Sequence, residues 1–318
     1  MKTSFLTTIA ALVLGTGLLG AAPLKVATLH PLVADLARQV GGERVEVVEV
    51  LKPGGDIHHF EPAPKDLAAM NGSKLLLASG KGLESFLPKV RDSLGGSVKL
   101  VEVGEKVPSI PFKESGAHHE DEEEEPVKKP GSEKDEDHDP HHHHHGDADP
   151  HWWHSAENMK RAARILAEEF TTADPAGAAT YEEGARAVAK KMTELKSWAQ
   201  KEISVIPRED RKLVTAHAAF GYFCKEYGFE PLSVLGIGRG DDANPRHIAQ
   251  TIHTIQEEKI RAVFPEDQAN PKVLAEIVRS TGVKTGGTLI ADGTALEAHT
   301  FEAMLRHNVK VIVEALKP

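Results

Sequence analysis

The sequence predicts an α/β protein of two lobes, each a mostly parallel sheet covered by helices, joined by one long rigid helix. Three observations carry this reading. Short apolar strands alternate with amphipathic helical stretches in β-α-β-α order, the pattern of parallel sheets covered by helices. The alternation occurs twice, once before and once after the middle of the chain. Between the two runs lies a stretch of about 30 residues with no strong helix breaker, about 45 Å long if helical. The 318 residues suit two medium domains.

The elements follow in order. Leu24 to Leu29 alternates as a strand, and His30-Pro31 opens a helix that Gly41-Gly42 stops. Val45 to Leu51 is the next strand, ended by the turn Lys52-Pro53-Gly54-Gly55. A short helix over Lys65–Met70, a buried strand over Leu75–Ala78, a helix over Leu83–Leu94 and a strand over Val98–Val103 complete the first run. Ser155 is a suitable N-cap for a helix through Met159, Ala163, Leu166 and Phe170. Asp174-Pro175 starts the long helix, which ends near Ser204. The second run has strands at 212–215, 232–235, 260–264 and 288–291. Its helices are expected at 218–227, 245–258, 271–281 and 294–307. The expected organisation is a signal segment over 1–22, an N-terminal lobe over 23–174, a linking helix over 175–204 and a C-terminal lobe over 205–318. No repeat is legible at residue level.

Composition narrows the function. From Glu114 to Asp149 there are 14 acidic residues and 3 lysines, a net of −11, whereas the whole chain carries −10. The remainder is therefore close to neutral. No Lys/Arg stripe is present to neutralise phosphates, so nucleic acid is not an expected partner. The acidic segment also holds His118, His119, His138, His141, His142, His143, His144 and His145. With few apolar residues and dense like charge it is expected to be a disordered insert, about 116–146, in the first lobe. These histidines should bind metal ions only weakly, because each ion must order a flexible chain.

Lys2, the apolar run Ile9–Leu19 and Gly20-Ala21-Ala22 read as a cleavable secretory signal. That implies an exported protein with no membrane insertion after cleavage. Cysteine occurs once, at Cys224, far from the cleavage site. A lipoprotein anchor is therefore not expected and no intrachain disulfide can form. Cys224 reads as a buried small apolar residue.

His58, His151, His217 and Asp292 stand just after expected strands or in the loops that follow, two in each lobe. In open α/β sheets that edge is where ligands bind. Three imidazoles and one carboxylate suit a tetrahedral Zn²⁺. Four protein ligands fill that shell, which favours holding the ion over activating a water. His154 is expected at the surface near a helix start, Glu61 either orients His58 or caps its loop, and His299 and His307 are expected to be structural. Trp152 and Trp153 are candidates for the wall of the site, one of them ordinary core. Arg239-Gly240-Asp241 has no supporting context and is given no adhesive meaning.

The run Pro53-Gly54-Gly55-Asp56-Ile57-His58-His59-Phe60-Glu61-Pro62 resembles the first signature of zinc and manganese substrate-binding proteins of ABC transporters, Pro-Gly-x-Asp-Pro-His-x-Phe/Tyr-Glu-Pro. Asp149-Pro150-His151-Trp152-Trp153 is similar to their second, Asp-Pro-His-x-Trp. His217-Ala218-Ala219-Phe220-Gly221-Tyr222 is similar to their third, His-x-Ala-Phe-x-Tyr. Leu289-Ile290-Ala291-Asp292 fits the position of the C-terminal ligand. Ile57 departs from the signature's proline, and the adjacent His58 and His59 leave open which imidazole faces the metal; the register of Phe60-Glu61-Pro62 favours His58.

The resemblance implies two α/β lobes joined by a long helix and one tight metal site of His58, His151, His217 and Asp292. It also implies a membrane permease as partner, with ATP hydrolysis on another subunit. No Gly-x-x-x-x-Gly-Lys-Ser/Thr motif occurs in the chain itself. Within this resemblance manganese binders tend to carry Glu at the position of His217, so a histidine there implies Zn²⁺. The expectation is a monomeric periplasmic zinc-binding protein, not an enzyme, that delivers Zn²⁺ to an ABC permease. A manganese component of a related importer is the near alternative. A secreted zinc hydrolase is the alternative of a different class, and it would need an open coordination position and a general base.

Overall fold

The computed structural model describes residues 22–111, 148–235 and 245–318, apart from positions 95, 97 and 268. Residues 1–21 of the signal segment, the insert over 116–146 with its eight histidines, and Arg239-Gly240-Asp241 lie outside the described residues.

The N-terminal lobe begins with β1 (Leu24–Thr28), α1 (Pro31–Gly41), β2 (Val45–Glu49), α2 (Pro64–Ala69), β3 (Leu75–Ala78), α3 (Leu87–Ser93) and β4 (Lys99–Glu102). Its four strands are all parallel in the order β2-β1-β3-β4. Every residue of the Leu-Leu-Leu-Ala strand β3 is buried, as expected where helices cover both faces of a parallel sheet. α4 (Ala156–Ala173) follows, with the Ser155 hydroxyl accepting from the Asn158 amide. After it comes α5 (Ala178–Ile203).

The C-terminal lobe contains β5 (Lys212–Thr215), α6 (Gly221–Tyr227), β6 (Glu230–Ser233), α7 (Pro245–Glu257), β7 (Ala262–Phe264), α8 (Pro271–Thr281), β8 (Lys284–Thr285) and α9 (Phe301–Leu316). Its strand order, β6-β5-β7-β8, is again all parallel. Both sheets thus place their second strand outside the first and return to the other side for the third and fourth. A topological repeat exists where the sequence shows no residue-level one. Each sheet has its switch point beside its first strand, where the connecting loops part and leave a crevice.

α5 packs against α4 and α1 on the N-terminal side and α9 on the C-terminal side. Its 26 residues span ~39 Å, so one stiff element touches both lobes. It begins three residues later than expected. Pro175–Gly177 forms a 3-10 turn, and the Asp174 carboxylate turns to Arg44 and the Tyr181 hydroxyl instead of capping the helix.

Besides boundary shifts at α6 and β6, two expectations for the C-terminal lobe differ from the structure. The strand over 288–291 is absent: the ladder consists of β8 and a single parallel bridge between Glu266 and Leu289. Gly286 and Gly287 interrupt it; a Cβ on Gly286 would lie 2.5 Å from the Phe264 ring, so the backbone passes too close for a regular strand with side chains. Leu289 to Ala291 read as a strand because they are apolar, yet they are buried as part of the core around α9. The last helix runs over Phe301–Leu316, not 294–307. Thr300 supplies its cap by accepting from the Ala303 amide, while Gly293 at φ +63° keeps the preceding residues in a loop. The expected helix over 83–94 is also shorter, Leu87–Ser93.

Gly184 in α5 shows how tightly the spine seats. A Cβ there would stand 2.3 Å from the Val40 carbonyl oxygen and 2.8 Å from the Val40 Cα. Alanine in a helix is favoured over glycine by about 1 kcal/mol, but the collision is with backbone and cannot be relieved by a rotamer. Gly184→Ala should therefore destabilise the metal-free protein by roughly 1–3 kcal/mol, read from urea unfolding; a gain in stability would show that α1 and α5 are not in this register.

Candidate metal centre

The three histidines share a device. Each is preceded or faced by a carboxylate that first binds the histidine's own backbone N–H. In the irregular loop after β2, Asp56 Oδ1 accepts from the His58 amide at 2.9 Å. In the N-terminal lobe's last loop before α4, Asp149 Oδ1 accepts from the His151 amide at 2.9 Å and lies 2.9 Å from His151 Nδ1. Immediately after β5, Glu266 Oε1 accepts from the His217 amide at 3.0 Å and Oε2 pairs with His217 Nδ1. Glu266 itself sits just beyond β7. Asp292 follows Ala291, whose amide donates to Asp267 Oδ1 at 3.2 Å. Gly293 is held against Leu32 of α1 with no room for a Cβ.

His58, His151, His217 and Asp292 converge: one ligand atom from each lies within 4.8 Å of all the others. His58 Nε2 is 3.4 Å from Asp292 Oδ2, while His151 Nε2 and His217 Nε2 are 3.7 and 3.9 Å from Asp292 Oδ1. A tetrahedron with Zn–N and Zn–O bonds of about 2.0–2.1 Å has edges of about 3.4 Å, so the carboxylate–imidazole spacings are near those of a filled site. All three rings face the centre through Nε2. At His151 and His217 the carboxylate on Nδ1 holds the proton on that nitrogen and leaves the Nε2 lone pair for the centre. The Nε2 atoms of His58 and His151 are buried with no hydrogen-bond partner among the described residues. Burial holds His151 well below the ordinary imidazole range, with the neighbouring His217 adding to it; the ring is a neutral donor, as a metal ligand must be.

His59, the alternative to His58, is exposed and pairs with Asp56 Oδ2 at 2.8 Å, away from the cluster. Ile57, where the signature has proline, is buried at 1% exposure and anchors the loop by packing. Glu61 is exposed. His299 and His307 are exposed, their rings against the Leu296 and Thr288 carbonyls. Cys224 is buried, and burial pushes its thiol up.

The structure corrects one reading and adds residues. His154 is not at the surface: it is buried at 2% exposure, and its Nε2 donates to the Ala291 carbonyl at 2.6 Å. Burial lowers its pKa to about 4. Trp153 packs edge-on against His151 and tilted against His30, with ring centroids at 5.2 and 4.4 Å. Trp152 points the other way and donates to Ser79. Glu266 is not among the residues expected at the site, and His30 is expected only as the opening of α1. Glu266 had a signal, an acidic residue directly beyond the strand Ala262–Phe264. His30 caps α1 by accepting from the Leu32 amide, a role its place before Pro31 would have allowed.

Residues 26–315 match the model of the family described as "Zinc-uptake complex component A periplasmic". The chain belongs to this family. A protein of the zinc-uptake component A family is a metal-binding substrate-binding component of an ABC transporter, which works with a membrane permease and is not an enzyme. The chain is 25% identical over 296 residues to the manganese-binding lipoprotein MntA of Halalkalibacterium halodurans, covering 92% of this chain and 88% of that one. It is 28% identical over 273 residues to the iron-binding protein YfeA of Yersinia pestis, covering 86% and 79%. The periplasmic zinc binding protein TroA from Treponema pallidum has the same fold, with a TM-score of 0.77 at 23% identity over 94% of this chain and 100% of that one. The two parallel-sheet lobes with a long helix match the TroA fold, and here the four residues converge between them. No helix among the described residues is long and apolar enough to cross a membrane.

Glu266 uses one oxygen for the His217 amide and the other for Nδ1, and a glutamine would turn its NH2, a donor, toward one of these two N–H groups. Glu266→Gln should weaken metal binding by about 10- to 100-fold with little change in fold, measured by chelator competition; unchanged affinity would mean that His217 needs no orienting carboxylate. His154 titrates at about 4 in the folded protein against 6.5 as a free group. Its contribution to stability is therefore present above pH 6.5 and lost as the pH falls toward 4. On going from about pH 7 to about pH 5, metal-free wild type should lose stability relative to His154→Phe in urea unfolding. Parallel pH profiles for the two proteins would contradict this.

Proposed function

We propose that this protein binds Zn²⁺ at a single tight site, with His58, His151, His217 and Asp292 as its ligands, and delivers it to an ABC permease for import. The observation that carries this reading is the convergence of three imidazole Nε2 atoms and one carboxylate in a buried centre. Nitrogen donors favour zinc over manganese, whose harder ion prefers more carboxylate oxygen. Two of those imidazoles are already held in the ligating tautomer by Asp149 and Glu266. Residues 23–174 and 205–318 are the two lobes that grip the ion, with 175–204 between them, a division that the packing of α5 on both sides supports.

The protein acts in the periplasm, as a monomer. The histidines of the 116–146 segment collect further zinc weakly. Manganese remains the second reading, favoured by relatives named for manganese and by Asp292, which presents both oxygens to the histidines. Hydrolysis of a substrate is not supported, because four protein ligands occupy the tetrahedron that a reactive water would need.

Calorimetric titration of residues 23–318 with Zn²⁺ and with Mn²⁺, repeated after deleting 116–146, tests the proposal. One tight zinc site that survives the deletion and exceeds the manganese affinity is expected. His217→Glu should narrow or invert that preference. Tighter manganese binding by the unmodified chain would overturn the zinc reading.

A further inference from the structure

Trp153 and His154 both donate to one acceptor. Trp153 Nε1 is 3.0 Å and His154 Nε2 is 2.6 Å from the Ala291 carbonyl oxygen. That carbonyl belongs to the residue before Asp292, in the C-terminal lobe. The donors come two and three residues after His151, in the N-terminal lobe. Two donors use both lone pairs of the carbonyl, so they fix the plane of the peptide that leads into Asp292. Peptide orientation in turn sets the direction in which Asp292 projects its carboxylate.

The same His154 ring lies against Phe220, with centroids 4.6 Å apart, and Phe220 is three residues beyond His217. One buried imidazole therefore touches the loops that carry His217 and Asp292 while belonging to the loop that carries His151. A plain apolar ring would fill this space at no desolvation cost. An imidazole costs free energy on burial unless its N–H is used, so the Ala291 bond is what distinguishes histidine here from a packing residue.

We propose that His154, together with Trp153, is a positioning residue that straps the Asp292 loop of one lobe to the His151 loop of the other and thereby slows release of the bound metal. This rests on the metal-centre reading above. For the ion to leave, ligands on facing lobes must separate, and both donors must leave the Ala291 carbonyl in a dry cleft before water can replace them. The strap acts on dissociation more than on capture, as most contacts of a closed complex do.

The test compares residues 23–318 as wild type, His154→Phe, His154→Gln and Trp153→Phe. Each is loaded with Zn²⁺, and the dissociation rate is followed by chelator chase; the Co²⁺-loaded forms give the visible ligand-field bands that report coordination geometry. His154→Phe keeps a ring against Phe220 and loses the donor. It should release zinc roughly tenfold faster, the worth of one hydrogen bond, and shift the cobalt bands. His154→Gln keeps an N–H donor and should recover most of the slow release. Trp153→Phe removes the second donor and should also speed release, which keeps the test decisive if one variant fails to fold. Wild-type rates and bands in both phenylalanine variants would overturn the strap. So would a glutamine variant as fast as phenylalanine, which would leave His154 a packing role only. A wild type that binds no zinc or cobalt stoichiometrically would instead overturn the metal-centre reading on which the strap depends.

Discussion

Gathering three imidazoles around one carboxylate in a dry cleft is the constraint that organises this molecule. Asp292 is 1% exposed, and His151 and His217 are fully buried. A carboxylate in such a place costs several kcal/mol unless it is paired, and imidazoles packed ring to ring cannot all take up protons. Burial therefore keeps His151 neutral. Neutral Nε2 lone pairs directed at a carboxylate form a site for a cation with a preference for nitrogen. The surroundings follow from this. Asp149 and Glu266 hold the Nδ1 protons, Trp153 closes the wall, and His30 is itself fully buried with its pKa lowered to about 3, chiefly by desolvation.

The two sheets supply the geometry. Each has the same strand order, so each opens a crevice at the carboxyl ends of its strands. His58 and His217 emerge from those ends, and Glu266 stands at the equivalent edge beyond β7. The facing crevices make one cleft, and α5 spans the distance between the lobes as a continuous helix. Contacts also cross between the lobes: Tyr222 of α6 accepts from the Ile110 amide and donates to the Asp149 carbonyl, and the Gly54 amide donates to the Thr294 carbonyl. With such ties, metal exchange is expected to proceed by small rocking of the lobes.

Much of this was legible in the sequence, for stated physical reasons. Turn residues, apolar runs and helix caps mark the alternation of β1 to β4 and β5 to β7, and the four converging residues lie in loops, His217 directly past β5. The failures are equally specific. Leu289–Ala291 is apolar like a strand, but Gly286-Gly287 and the ring of Phe264 deny it a ladder. His154 reads as a polar residue at a helix start, and only the approach of Ala291 and Phe220 from the other lobe buries it. Glu266 is one acidic residue among many until Lys212–Thr215 and Ala262–Phe264 are paired in space. In each case the missing information was a contact between segments distant in the chain, which periodicity cannot encode.

The coordination shell is the most direct point of test. Zinc K-edge X-ray absorption on the zinc-loaded chain lacking residues 116–146 should show three imidazole nitrogens and one carboxylate at about 2.0–2.1 Å, with no sulfur scatterer. A shell with fewer than three imidazoles, or a six-coordinate shell dominated by oxygen, would contradict a zinc site built from His58, His151, His217 and Asp292.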